Sequence, residues 1–94
     1  MSEKHTPGPW IFDGEGEQGF DVAIPDGGVI ATAWYCPDGE GREQAEANAH
    51  LIAAATDLLE ACQGAAALLR RLGGHNHNPE YADLLAAIAR AKGD

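Results

Sequence analysis

The sequence predicts an α+β fold: a three-stranded antiparallel β-meander, then a long amphipathic helix either continuous or broken near Thr56, then a C-terminal helix returning antiparallel to it. Three observations carry this reading. Up to about residue 36, short apolar runs alternate with Pro- and Gly-rich turns. From Gln44 onward, apolar residues recur at steps of three and four, the period of a helix face. At Asn78-Pro79-Glu80 a second helix start is written in capping chemistry.

The elements follow in order. Pro7-Gly8-Pro9 cannot sit inside a helix and withholds ladder donors, so it leads an extended entry into Trp10-Ile11-Phe12. Gly14-Glu15-Gly16-Glu17-Gln18-Gly19 is polar and glycine-rich, which reads as a loop. Phe20-Asp21-Val22-Ala23-Ile24 alternates at period two and places Phe20, Val22 and Ile24 on one face. In Pro25-Asp26-Gly27-Gly28 a fixed φ, a side-chain acceptor and two residues tolerant of positive φ make a hairpin turn. Val29 to Cys36 is the longest strand. Its apolar residues fall on both faces, which predicts a place at the sheet centre or beneath a helix.

In the helical half, Asn48, Ile52, Ala55, Leu59, Cys62, Ala66 and Leu69 form a stripe that Leu51, Leu58, Ala65 and Leu72 widen. Arg70 and Arg71 suit the negative end of the helix dipole, and Gly73-Gly74 stops the helix. Thr56-Asp57 is able to cap a second helix, and Gly64 weakens the later turns by about 1 kcal/mol relative to Ala. One kinked helix and two abutting helices therefore both stand. At the last helix Asn78 supplies an N-cap acceptor, Pro79 fits the first helical position, and Tyr81, Leu84, Leu85 and Ile88 form the apolar face. The organisation is a single domain over 1–94, with the meander at 7–36, helix at 43–72 and helix at 78–92, the helices on one face of the sheet.

Charge bounds the function. The 94 residues hold 15 Asp and Glu against 6 Lys and Arg, a net −9, with 45% of positions apolar. Residues 1–43 carry nine acids against Lys4 and Arg42, a net −7; the helical half carries only −2. Such a chain lacks the cationic stripe of ordinary nucleic-acid binding and of docking on an anionic membrane. No apolar run approaches the ~20 residues of a spanning helix, and the start MSEKHTPGPW lacks the apolar core of a signal peptide, so a cytoplasmic location is expected. Cys36 and Cys62 have no framework spacing and read as free thiols packed in the core, with a disulfide or a shared metal as the alternative. A domain of this size buries only roughly 60–65% of its unfolded surface, and with the long helical stripe this predicts a homo-oligomer.

Few residues stand out as chemical. Trp10 follows a rigid entry and reads as a core plug, whereas Trp34 is balanced between core and a stacking platform for a base or partner side chain. Asn48 on the apolar stripe needs partners and reads as a structural hydrogen bond, with a ligand or interface contact as the alternative. His75 and His77 resemble half of a metal site, but no CxxC or HExxH accompanies them and a solvated turn is the reading. The carboxylates of the glycine-rich segments are expected to be solvated, and Ser2 is the single serine, so no enzyme, cofactor or metal is expected.

Thr6-Pro7-Gly8-Pro9-Trp10, followed by Gln44-Ala45-Glu46-Ala47-Asn48-Ala49-His50-Leu51-Ile52-Ala53-Ala54-Ala55-Thr56-Asp57-Leu58-Leu59-Glu60-Ala61, resembles a family of small proteins of tailed bacteriophages and prophages. Its members carry a TPGPW entry, a β-meander and a segment close to EANAxLIAAAPDLLEA, over the equivalent of residues 5–62. Thr56 stands where that pattern has proline. The resemblance implies a phage accessory protein of the host cytoplasm and supplies no catalytic residue. Counter-defence inhibitors are a common class among such proteins. The reading that follows is a non-enzymatic protein that docks on a host protein, such as a defence component, through its acidic β half, with Trp10, Trp34, Asn48, Glu15, Glu17, Asp38 and Glu40 as the binding candidates. The alternatives are an oligomer that sequesters a small nucleotide, with Arg42, Arg70 and Arg71 on its phosphates, and a structural or regulatory phage subunit.

Overall fold

A computed structural model describes residues 5–73 and 78–93 of the chain. It is an α+β fold in the order β1 (Ile11–Glu15), β2 (Gly19–Ala23), β3 (Val29–Trp34), α1 (Arg42–Ala53), α2 (Ala55–Arg71) and α3 (Pro79–Ala91). These elements fall into two compact units, Pro7–Thr56 and a second that takes Asp57–Asp94 with Met1–Thr6. His75 and His77 lie outside the described residues. No single helix among the described residues is long and apolar enough to cross a membrane.

In the Pro7–Thr56 unit the three strands form an antiparallel sheet in the order β1-β2-β3. The centre is β2, and β3 is an edge strand. Of the two places the apolar residues of β3 allow, the sheet centre goes to β2, because two successive hairpins put the second strand in the middle; β3 instead packs Ile30, Ala31 and Ala33 against the core that α1 covers. The turn between β2 and β3 closes as its residues dictate, with Gly27 N–H donating to the Ile24 carbonyl and Gly28 N–H to Asp26 Oδ1. Ile24 sits in that turn rather than in β2.

The register shifts twice, between Val22 and Ala23 where β2 meets β3 and between Phe12 and Gly14 where β1 meets β2, and the second of these reshapes the face that meets the helix. Between β1 and β2 the register runs Phe12↔Val22 and then Gly14↔Asp21, so Asp13 is an extra residue, and Gly14 adopts φ 89°. A bulge inserts one residue and so reverses the alternation beyond it. Phe12 and Glu15, three apart, thereby share one face, the face of their partners Val22 and Phe20. Glu15 is a strand residue, and the loop read at 14–19 narrows to a turn closed by Gly16 N–H on the Gly19 carbonyl.

The helix α1 covers the Phe20 and Val22 face. Ala45, Ala49 and Ala53, each four residues apart, are its buried positions and complete the core with Phe20 and Val22, flanked by Trp10, Phe12, Ile30, Ala31, Ala33, Tyr35 and Ile52. Alanine at every fourth position lets the helix lie close to the sheet, since no long side chain holds it away. Asn48, placed on the buried stripe by sequence, is exposed. The stripe was drawn through larger residues, and the helix instead turns its smallest side chains inward.

The helical run divides at Ala54, whose N–H is shared between the His50 and Leu51 carbonyls. Thr56 falls inside the first turn of α2 rather than capping it. In the second unit, Asn78 Oδ1 accepts from the N–H groups of Glu80 and Tyr81, with Pro79 opening α3, as the residue types require. Tyr81 is buried, and its hydroxyl accepts from Arg70 Nε at 3.1 Å and Nη2 at 2.9 Å.

Candidate binding groove and the ion pair behind it

The bulge at Asp13 has a chemical consequence. It aims Glu15 at the start of α1, where Arg42 Nη2 meets Oε1 at 2.8 Å and Nε meets Oε2 at 3.2 Å. The Tyr35 hydroxyl donates to the same Glu15 Oε2. Two donors on one carboxylate, a guanidinium foremost, hold the Glu15 carboxyl down at about 2 from its ordinary 4.5. The same contact with Glu15 raises the Tyr35 hydroxyl and the Arg42 guanidinium. Arg42 also lies 5.2 Å from the centre of the Phe20 ring, and Tyr35 stands 5.7 Å from it. Glu15, a loop acid by sequence, is the last residue of β1; exposed, it pairs with Arg42 and joins β1, α1 and the residue after β3.

Tyr35, so pinned, is one wall of an open groove of about 410 Å³ at the edge of the sheet. Trp34, Cys36, Glu40 and Gly41 line it from β3 and the following loop, and Gln44, Ala45 and Asn48 from α1. The loop is tight because Gly39 N–H donates to the Cys36 carbonyl, Cys36 N–H to the Glu40 carbonyl, and Glu40 N–H to Asp38 Oδ1. Gly39 and Gly41 adopt positive φ within it. This folding brings the Cys36 thiol and the Asp38 and Glu40 carboxylates within 4.8 Å of one another, all exposed. Cys36 was read as a buried strand residue. It lies two residues beyond the end of β3, on the surface, and Cys62 is half-buried; both are free.

The remaining candidates divide clearly. Trp34 is 66% exposed, and its cross-strand partner is Gly19, which offers no side chain to cover it. Trp10 is half-buried against the core. Asn48 lines the groove beside Gln44, one helical turn away. Asp38 and Glu40 sit at its loop, while Glu17 is exposed in the β1–β2 turn. Of the three proposed phosphate ligands, Arg42 is bound to Glu15, Arg70 donates to Tyr81, and Arg71 is exposed. Sequence reading missed Tyr35 and Gln44 as groove residues. It also missed His50, whose ring stacks on Phe12 at 3.9 Å. The i, i+4 spacing of Gln44 and Asn48 is a signal for Gln44; nothing local announces Tyr35 or His50.

Over residues 1–94 the chain matches the family described as Salmonella phage P22 protein Y8K6. It belongs to that family. The family is a phage one, as the sequence resemblance implies. No curated protein and no solved structure matches the chain significantly.

Proposed function

We propose that this member of the phage family acts by binding, docking on a basic surface of a host protein through the groove at the β3 edge. The observation that carries the reading is Trp34, two-thirds exposed and lining a groove whose loop holds Asp38 and Glu40. An exposed indole held on a strand presents a large contact face with little entropy left to lose, which is why tryptophan is enriched among the residues that dominate interfaces. The carboxylates of Asp38 and Glu40 add the charge that steers a cationic partner and selects its orientation. Gln44 and Asn48 supply amide donors and acceptors on the opposite wall.

In this reading the host partner is a component of antiphage defence with a basic channel or face, and the phage protein blocks it. The acidic residues that would act are Asp38, Glu40 and Glu17. Glu15 stands apart from this set because it is already paired with Arg42. The nucleotide-sequestering alternative gains no support, since Arg42 and Arg70 are engaged within the chain.

The test separates stability from binding. Tagged wild-type protein, Trp34→Ala and the Asp38→Asn/Glu40→Gln double variant are used to capture host proteins. Each captured partner is then titrated at rising salt. Expected is a partner retained by wild type, lost with Trp34→Ala at an unchanged melting temperature, and bound several-fold more weakly as salt rises. Equal binding by wild type and both variants refutes the reading.

A further inference from the structure

Helix α2 carries an apolar seam that the described residues leave open. Leu58, Ala61, Ala65 and Leu68 recur at steps of three and four, the seam runs on to Leu72, and all five are exposed. Leu72 is 73% and Leu58 50% exposed. Of the 17 residues of α2 only Ala66, off this seam, is buried. Steps of three and four are the spacing at which two helices mesh side chains along a common axis.

Gly64 adds a second observation. A glycine in a helix interior costs about 1 kcal/mol relative to alanine. A Cβ at Gly64 would meet open space among the described residues, so their packing does not call for glycine there. The absence of a side chain is useful where another helix backbone comes close.

Charge then selects the occupant. Asp57, Gly64 and Arg71 are spaced by seven and so flank the seam on one side, acid at its start and base at its end. A second copy laid antiparallel sets Asp57 beside Arg71, Arg71 beside Asp57, and Gly64 against Gly64. The small residues Ala61, Gly64 and Ala65 then meet at the centre, with the leucines closing both ends. We propose that a second copy of this chain docks on this seam, α2 against α2 and antiparallel, about a two-fold axis near Gly64. The contact is isologous and therefore closes as a homodimer. It is independent of the groove at the β3 edge.

Sedimentation and light scattering over a concentration series test it. Wild type is expected to reach twice its 9.9 kDa chain mass. Leu68→Glu is expected to hold at the single-chain mass with an unchanged helical circular-dichroism signal. Asp57→Arg and Arg71→Asp should each weaken dimerisation several-fold, and their combination should restore it. With Cys36 and Cys62 changed to serine, Gly64→Cys is expected to form an intermolecular disulfide. Asp57→Cys is not, because 14 residues of helix separate the two ends by about 20 Å in an antiparallel pair. A monomer at all concentrations, a dimer indifferent to Leu68→Glu, or Asp57→Cys linking in preference to Gly64→Cys each overturns the proposal.

Discussion

The backbone of Gly8 rests directly on the side chain of Thr56: a methyl group added at Gly8 would fall 2.5 Å from Thr56 Oγ1 and 2.8 Å from its Cβ. The Pro-Gly-Pro entry and the helical motif, nearly fifty residues apart in sequence, thus meet atom to atom. Among the described residues, Thr56 Oγ1 is buried there with no hydrogen-bond partner. Gly8→Ala is expected to lower stability by about 1–3 kcal/mol through overpacking. Thr56→Val, which keeps the shape and removes the unsatisfied hydroxyl, is expected to raise it by about 1 kcal/mol. Urea or thermal unfolding of the two variants checks both signs.

The Glu15 strut sets an acid limit. Its carboxyl titrates at about 2 in the folded chain against an ordinary 4.5, so folding favours the ionised form. Its contribution is complete above about pH 4.5 and is lost as pH falls toward 2. Melting temperatures of wild type and Glu15→Gln measured across that window should converge at the acid end. Tyr35 has the opposite sense. Its hydroxyl is raised above 10, so its contribution holds below pH 10 and is lost as pH rises beyond. Tyr35→Phe should therefore show its largest deficit below pH 10.

Gly19 is a closer constraint than any turn glycine. A side chain there would overlap the Ala33 carbonyl oxygen and lie 2.8 Å from its carbon, where β2 and β3 pair. Backbone cannot move aside as a flexible side chain can. Gly19→Ala is expected to cost about 2–3 kcal/mol, a fall of roughly 10–20 °C in melting temperature for a domain of this size.

In the second unit, Asn78 is the cap on which α3 depends. Its Oδ1 accepts from the first-turn N–H groups of Glu80 and Tyr81, and the Tyr81 N–H also reaches the Asn78 carbonyl. Asn78→Ala should cost about 1 kcal/mol, whereas Asn78→Ser or Asp should recover most of it. Hydrogen exchange at Glu80 and Tyr81, faster in Asn78→Ala alone, locates the effect at the helix end.

The fold was largely legible in the sequence wherever the deciding chemistry is local. Pro25-Asp26-Gly27-Gly28 makes its turn, Asn78-Pro79 its cap, and the change from period two to steps of three and four marks the passage from sheet to helix. These depend on φ preferences and on donors and acceptors within a few residues, which amino-acid type alone determines.

The groove and its strut were decided by tertiary structure. Nothing in Asp13-Gly14-Glu15 states that Asp13 is an extra residue, yet that single insertion carries Glu15 to the face of Phe12 and on to Arg42. Because side chains alternate, one residue of register exchanges the two faces of a strand, and register is settled by pairing with a distant partner. The same holds for α1. Asn48 and Ala49 are neighbours in sequence, and only the closeness of the sheet decides that Ala49 is buried and Asn48 lines the groove. Sequence by itself determined the elements, the turns and the uneven charge; packing of the helix on a bulged sheet decided which of those charges is spent on Arg42 and which face outward.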